Sequence, residues 1–258
     1  MWKWLSFVFL AFLLLGSSNS RDVYVDERTS TEICFSVSEG MFPKHWYGGK
    51  IKAEAMSLDR LERNHFIIIM NRAFDKYPES VLKENLNRIY ALKKMRFYGI
   101  PFGGTNVQNT VFICDDEQNS NFSDEYIERV FHHEFSSVLK RAFPHYFNET
   151  AWENVNAPNF IYGNGGVNAI VNGDASMKLD PGLFNKGFLT RYSLASLEED
   201  MNVFAQQLFS GSNDFWEIVD QNIRIRQKAH ILIAFYQKID PRFSENYFRH
   251  LSDKLTWK

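Results

Sequence analysis

Apolar residues recur at helical spacing in the middle of the chain, and polar residues mark where that pattern starts. Ser123 followed by Asp124 and Glu125 is typical of a helix N-terminus, and Pro144 ends the same segment. The apolar residues between them share one stripe at i, i+4, i+7, i+8 and i+11: Phe131, Phe135, Val138, Leu139 and Ala142. The pattern predicts a long amphipathic helix between residues 123 and 144.

Five other segments carry patterns of their own. Helical spacing predicts a helix over Ser57–Phe74 and another over Asn222–Lys238. A capping box, Ser196 with Glu199, starts a third helix. Strand-type alternation predicts strands over Arg88–Phe97 and Thr110–Cys114.

Three segments leave alternatives open. The apolar block 66–70, inside the first predicted helix, fits a buried strand equally well. Residues 21–45 read as an irregular or strand-forming lead-in. Residues 150–187 are rich in Asn and Gly and read as a loop, and a loop of that length in a compact domain is usually functional or mobile.

The order of these elements predicts the fold class. A helix, strands, a long helix, a loop and further helices indicate an α+β domain rather than a regular alternation of strands and helices. Neither an internal repeat nor a Pro/Gly/Ser linker interrupts residues 21–258. We therefore predict one domain there, with a small sheet packed on the long helix and a mostly helical C-terminal half.

The first twenty residues predict a signal peptide. Lys3 supplies a positive charge, the apolar run Leu5–Leu15 follows, and small residues come after it. The run of about 11 residues is shorter than the ~20 that a membrane-spanning helix needs. We expect a secreted or periplasmic protein that keeps no stable membrane span after cleavage, with an uncleaved N-terminal anchor as the alternative.

Composition limits the kinds of binding partner, and the cysteine count allows at most one disulfide. The net charge is −2 over 258 residues, which gives no basic footprint for nucleic acid. The 16% aromatic content argues against disorder. Cys34 and Cys114, the two cysteines, either pair in an oxidising compartment or remain two buried thiols. The sequence does not indicate an oligomeric state.

The predicted long helix contains the segment with candidate chemistry, His133-Glu134-Phe135-Ser136-Ser137. In a zinc helix of the form His-Glu-x-x-His, the two His side chains bind the ion from one face and the Glu acts as general base. Here Ser137 stands where the second His would be. At about 100° per residue, His133 and Ser137 lie opposite the apolar stripe, either in a cleft or on an ordinary polar surface.

Further motifs occur in a particular order along the chain. Upstream of the helix are Asp75-Lys76-Tyr77-Pro78 and the turn Gly103-Gly104-Thr105, followed by the strand Thr110–Cys114. Downstream, the segment 187–193, which ends in Tyr192-Ser193, precedes Glu198-Glu199-Asp200. In this order, over roughly residues 56–210, the chain resembles the zincin metallopeptidases, and more closely a group of secreted bacterial zinc-binding metallopeptidases.

The resemblance implies a zincin-like fold with a cleft for a peptide, and it implies roles for five residues. His133 would be a zinc ligand, Glu134 the base that activates metal-bound water, and Glu199 or its neighbour Glu198 a downstream carboxylate ligand. Tyr192 would donate a hydrogen bond to an oxyanion. A capping role explains Glu199 equally well.

The chain departs from this pattern at Ser137, because hydroxyls are poor zinc ligands and catalytic zinc normally has three N, O or S protein ligands. The missing donor would have to be adjacent His132, the second carboxylate of the Glu198-Glu199 pair, or a histidine from elsewhere: His65, His145 or His230. Considered individually, His132 is predicted to lie at the polar surface and His230 is predicted to lie in the core.

Two functional hypotheses follow. The first is a secreted zinc-dependent metallopeptidase that hydrolyses peptide bonds. The second is a catalytically inactive zincin-fold protein, a pseudoenzyme, that binds a peptide or a glycan in the same cleft.

Overall fold

The strands Arg88–Phe97 and Thr110–Cys114 lie side by side at the centre of a mixed sheet. The computed structural model describes residues 22–116 and 123–255, so the predicted signal peptide lies outside the described residues. Within them the sheet has seven strands: β1 (Val23–Val25), β2 (Glu32–Cys34), β3 (Glu54–Ser57), β4 (Arg88–Phe97), β5 (Ile100–Pro101), β6 (Gly104–Val107) and β7 (Thr110–Cys114).

The strand order is β1-β2-β4-β7-β6, and β3 and β5 also pair with β4. β2, β4 and β7 run parallel, and β1, β3, β5 and β6 are antiparallel to their partners. β6 and β7 form a hairpin in which Val107 pairs with Thr110. β6 therefore forms one edge of the sheet.

The helices surround one face of this sheet. Within the described residues they are α1 (Arg63–Phe74), α2 (Glu79–Asn85), α3 (Asp124–Ala142), α4 (Glu149–Val155), α5 (Gly166–Asn172), α6 (Pro181–Phe184), α7 (Leu197–Ser210), α8 (Asn213–Gln221), α9 (Ile223–Ile239) and α10 (Glu245–Leu255). Among these, no helix is both long and apolar enough to cross a membrane.

Alternate residues of the central strands build two separate cores, as the pleat of a strand requires. On the helical face, Ile89 and Val111 are fully buried in the main core with α1, α3 and α7. On the opposite face, the ring of Tyr90 stacks on Phe112 with centroids 5.1 Å apart. Residues 41–55, which include the buried Phe42, cover that face.

The strongest sequence patterns give the correct elements. β4 and β7 have the predicted bounds, and α3 begins after Ser123, whose hydroxyl accepts a hydrogen bond from the Tyr126 N–H. The predicted helix over Asn222–Lys238 is α9. The α+β class, with its small sheet and mostly helical C-terminal half, is confirmed.

Weaker patterns were read incorrectly. The first helix begins at Arg63, because Ser57 belongs to β3, and its block 66–70 is helical rather than a strand. The predicted loop 150–187 contains α4, α5 and α6. These helices are at most seven residues long, too short to show an apolar stripe. Asn148 and Asp180 cap two of them.

Two histidines lie in environments opposite to those predicted. His132, which the sequence places at the polar surface, is fully buried on the side of α3 that faces away from the cleft. Its Nδ1 lies 3.0 Å from the Tyr77 hydroxyl and its Nε2 lies 3.5 Å from Glu128. Burial lowers the pKa of His132 to about 4. His230, read as a core histidine, has a half-exposed side chain 3.2 Å from Glu245.

The two cysteines are free thiols, and both are buried. Cys34 in β2 is in register with Tyr90, and Cys114 in β7 is in register with Leu92, so β4 lies between them. Two strand spacings of about 4.8 Å exceed the 4.4–6.8 Å between Cα atoms that a disulfide spans. Cys34 and Cys114 are therefore two buried thiols and not a disulfide.

Candidate functional site

A cleft of about 1310 Å³ runs between the edge of the sheet and the helical half of the chain. Its floor is α3, one wall is the start of β6 with residues 103–106, and the opposite wall is α7. Residues from α5 and the segment 175–179 lie over part of it. All five candidate site residues from the sequence line this cleft: His133, Glu134, Tyr192, Glu198 and Glu199.

The face of α3 that lines the cleft is the one opposite its apolar stripe. Phe131 and Leu139 are fully buried in the main core, whereas His133, Glu134 and Ser137 line the cleft. His133 and Ser137 are nevertheless largely buried, because α7 packs along this face. The sequence correctly placed the two sides of the helix, but not the second helix that covers the polar one.

Helix α7 presents its polar face to α3 from the first turn onward. The Ser196 hydroxyl caps the helix by accepting a hydrogen bond from the Glu199 N–H at 3.1 Å. Glu198, Asn202 and Gln206 then follow at intervals of four residues on one face and line the cleft. The Glu199 side chain points to His133 rather than back to its cap, so capping does not account for that side chain.

A buried ion pair between Asp200 and Lys228 holds the start of α7 in place. Asp200 is fully buried, and its Oδ2 accepts hydrogen bonds from Lys228 at 2.6 Å, Tyr162 at 2.8 Å and Trp152 at 3.0 Å. The Lys228 ammonium also lies 4.0 Å from the centroid of the Phe188 ring. Because Asp200 follows Glu198 and Glu199 directly, this cluster determines where those two carboxylates lie.

His133 is held at both ring nitrogens. Nδ1 lies 3.2 Å from the Gln206 Oε1, and Nε2 lies 3.0 Å from the Glu199 Oε2. The Glu199 carboxylate and the Gln206 amide oxygen are both acceptors, so this environment favours the protonated imidazole, in which each ring nitrogen donates. Burial alone would lower the pKa of His133, but the hydrogen bond and charge of Glu199 outweigh burial and raise it.

Glu134 has an unusual environment for a carboxylate. Its Oε2 accepts a hydrogen bond from the Asn106 side chain of β6 at 2.6 Å. Burial, with the charges of Glu199 and Glu198, raises the pKa of Glu134 to about 7 against the opposing effects of His133 and Asn106. A carboxyl group with this pKa can both give and take a proton at neutral pH.

Ser137 occupies the place of the second histidine and is fully engaged. Its hydroxyl donates to the Glu198 Oε1 at 2.5 Å and accepts from the Asn202 Nδ2 at 2.8 Å. Ser137 is 2% exposed, and its two partners come from successive turns of α7. At this point α3 and α7 are therefore joined through the Ser137 hydroxyl, which is held by two protein partners in the place of a metal ligand.

The start of α5 covers the His133–Glu199 pair. A Cβ added at Gly166 would lie 2.1 Å from the Glu199 Oε1 and 2.3 Å from the Tyr192 hydroxyl oxygen, so the backbone contacts both groups directly. The Tyr192 ring stacks on His133 with centroids 6.0 Å apart. Burial and the nearby charge of Glu199 raise the pKa of Tyr192 well above its usual range.

The donor set does not fit a catalytic zinc ion. Such an ion needs three N, O or S protein ligands with free lone pairs. Both ring nitrogens of His133 already face protein acceptors, and the Ser137 hydroxyl is bound to Glu198 and Asn202. Across residues 22–116 and 123–255, no three His, Cys, Asp or Glu side chains are arranged to hold a metal ion.

The other histidines do not supply the missing ligand. His65 pairs with Asp124 at 2.8 Å, His230 pairs with Glu245, and neither they nor His145 line the cleft. His132 points to the opposite side of α3, as the ~100° step between neighbouring helix residues requires. Glu198, the second carboxylate, binds Ser137 instead of joining Glu199 at His133.

Comparison with known proteins supports the fold. No protein-family model and no curated protein sequence matches this chain. The chain is similar to the crystal structure of a "putative zinc-binding metallo-peptidase" from Bacteroides caccae, with a TM-score of 0.53, 14% identity, and 78% of each chain covered. At this identity the likeness shows a shared fold, and it agrees with the α+β class that the sequence predicted.

Four residues of the site were not identified from the sequence: Asn106, Asn202, Gln206 and Gly166. Asn202 and Gln206 had a usable signal, since they continue from Glu198 at four-residue spacing along the polar side of a predicted helix. Gly166 lies in the segment predicted to be functional or mobile. Asn106 had no signal, because its contact with Glu134 joins residues 28 positions apart.

Proposed function

We propose that this protein binds an extended peptide in its cleft and does not hydrolyse it. The proposal is the second of the two hypotheses drawn from the sequence, a binding protein on a metallopeptidase-like fold. The observation that carries it is the state of Ser137, whose hydroxyl is bound to Glu198 and Asn202 at the place of a metal ligand. The predicted secreted or periplasmic location, inferred from residues 1–20, is part of the proposal.

The edge of the sheet supports a peptide rather than a glycan as the ligand. In the β6–β7 hairpin, Gly103 accepts a hydrogen bond from the Cys114 N–H at 2.8 Å. Because bonded and non-bonded positions alternate along an antiparallel pair, Gly104 and Asn106 direct their backbone groups away from β7. These groups border the cleft and can pair with an added strand.

Gly104 allows this edge to lie close to α3. An added Cβ there would lie 2.4 Å from the Val130 Cγ1 and 2.9 Å from the Glu134 Oε1. A side chain at this position would therefore push β6 away from the helix. The glycine thus keeps the strand edge beside Glu134 and His133, where a bound peptide would also meet the polar face of α7.

Peptide binding can be tested with residues 21–258 and a random decapeptide library. Mass spectrometry identifies the bound peptides, and fluorescence anisotropy measures their affinity. N-methylation at alternate backbone positions should abolish binding in one register and spare it in the other, because strand pairing uses every second N–H. Failure to retain any peptide, or equal tolerance of both N-methyl registers, would contradict strand addition.

Metal-dependent peptide hydrolysis is the second candidate function. It is favoured by the 3.0 Å contact of His133 with Glu199 and by the raised pKa of Glu134. It would require the His133 ring to lose a proton and a third donor to be recruited. A peptidase activity that needs zinc and disappears in Glu134→Gln, with unchanged peptide affinity, would establish this candidate instead of the first.

A further inference from the structure

Glu198 and Asn202, the two hydrogen-bond partners of Ser137, place acceptor groups on one side of the cleft. The Glu198 side chain is 45% exposed, and the hydrogen bond from the Ser137 hydroxyl reaches its Oε1. Asn202 lies in the cleft wall one turn further along α7. Both residues therefore bring acceptor oxygens to the lining of the cleft, and a carboxylate among them attracts a group that donates hydrogen bonds and carries positive charge.

Asn202 has a buried amide oxygen that lacks a hydrogen-bond donor within residues 22–116 and 123–255. It is 2% exposed, and its Nδ2 is used by Ser137. Its Oδ1 is buried and has no hydrogen-bond partner among the described residues. Leaving a buried acceptor without a donor is costly. The orientation of the amide is fixed, because the Ser137 hydroxyl already donates to Glu198 and needs a donor from Asn202.

We propose that this part of the cleft, Glu198 with the Asn202 Oδ1, binds the ammonium or guanidinium group of a Lys or Arg side chain in the bound peptide. The inference rests on the proposed function, since it names the side chain that the peptide presents here. Several N–H donors on one cation can serve both oxygens together, and the positive charge complements the carboxylate, which neither a neutral amide nor an acidic side chain does.

Neighbouring charges are consistent with one such cation. The His133 ring is already paired with Glu199. The Arg141 Nη1 forms a long ion pair with the Glu198 Oε1 at 3.9 Å, beyond hydrogen-bond distance, and its Nη2 donates to the Gln108 carbonyl. Glu134 adds negative charge nearby when it is ionised.

The test compares a bound library peptide with versions that carry Lys or norleucine at one position. Norleucine keeps the carbon chain of Lys and lacks the ammonium group. Wild type should bind the Lys peptide about tenfold or more tightly, the size of a charge-assisted hydrogen bond. Glu198→Gln should remove most of this preference, as should Asn202→Ala, while Glu217→Gln, an exposed control on α8, should keep it.

Other results would overturn the inference. If peptides bind but Lys and norleucine are equivalent at every position, the cation site is wrong and the proposed function stands. A Lys preference that survives both Glu198→Gln and Asn202→Ala would locate the cation elsewhere. Loss of binding in EDTA would replace the organic cation by a metal. If no peptide binds at all, the proposed function and this inference both fail. Circular dichroism of each variant verifies that it is folded.

Discussion

The buried Lys228–Asp200 pair gives the most quantitative prediction, because it determines where α7 begins. We consider Lys228→Met, which keeps most of the length of the side chain and removes the charge. Both partners are fully buried, and the pair is 2.6 Å apart. Breaking a buried pair from one side costs about 3–5 kcal/mol, since the other charge stays buried.

The local contacts of Asp200 place the expected cost at the lower end of that range. Its Oδ2 keeps the hydrogen bonds of Tyr162 and Trp152 after Lys228 is replaced. We therefore expect a loss of about 3 kcal/mol in the free energy of unfolding. With an m value of about 3 kcal/mol/M, the urea midpoint would fall by about 1 M.

The assay is urea unfolding followed by tryptophan fluorescence, with the double variant Lys228→Met/Asp200→Asn as the matched control. The double variant buries no charge and should recover most of the lost stability. Lowering the pH should also stabilise Lys228→Met relative to wild type, because protonation neutralises the unpaired Asp200. A single variant within about 0.5 kcal/mol of wild type, or a double variant as unstable as the single one, would refute the reasoning.

Three further predictions concern the cleft. The pKa of Glu134 is about 7 in the folded protein and ordinary when unfolded, so stability is lost as the pH rises from about 4.5 to 7. Thermal unfolding should find Glu134→Gln more stable than wild type at pH 8 by roughly 1–3 kcal/mol and equal to it near pH 4. Ser137→His should bind zinc at least about tenfold more tightly than wild type in a competition titration, since it adds a nitrogen donor. Gly166→Ala should displace the Glu199 carboxylate, so NMR titration should find a lower pKa for His133.

Each of these predictions has a control or an outcome that contradicts it. A less stable Glu134→Gln at pH 8 would show that its carboxylate is not destabilised by burial. Lys140→His, on α3 outside the cleft, should leave zinc affinity unchanged, and equal gains in both His variants would contradict the assigned geometry. Asn172→Ala, at an exposed position of α5, should leave the pKa of His133 unchanged. An unchanged pKa in Gly166→Ala as well would contradict the contact of α5 with Glu199.

The fold was predictable where local signals were strong. The helix cap at Ser123 and the apolar stripe of α3 are encoded within about twenty neighbouring residues, and so is the polar face with His133 and Ser137. The capping box at Ser196 set the start of α7 in the same way. Because these signals depend on sequence-local hydrogen bonds and burial, a single sequence suffices for them.

The rest depends on contacts between distant residues. The bond of Ser137 to Glu198 spans 61 positions and that of Asn106 to Glu134 spans 28, and neither has a periodic signature. The burial of His132 could not be predicted because Tyr77, which covers it, lies 55 positions away, although Glu128 is one turn earlier on the same helix. Short helices such as α5 carry too few residues for a stripe, so the cover over Glu199 could not be predicted.

The central claim, that the cleft binds a ligand without a catalytic zinc ion, is tested most directly by metal content. Wild type and His133→Ala, prepared without chelator or nickel affinity, are dialysed against zinc and then against metal-free buffer, and metal is quantified by mass spectrometry. We predict far less than one zinc per chain in both proteins. One zinc per chain in wild type, lost in His133→Ala, would contradict the claim.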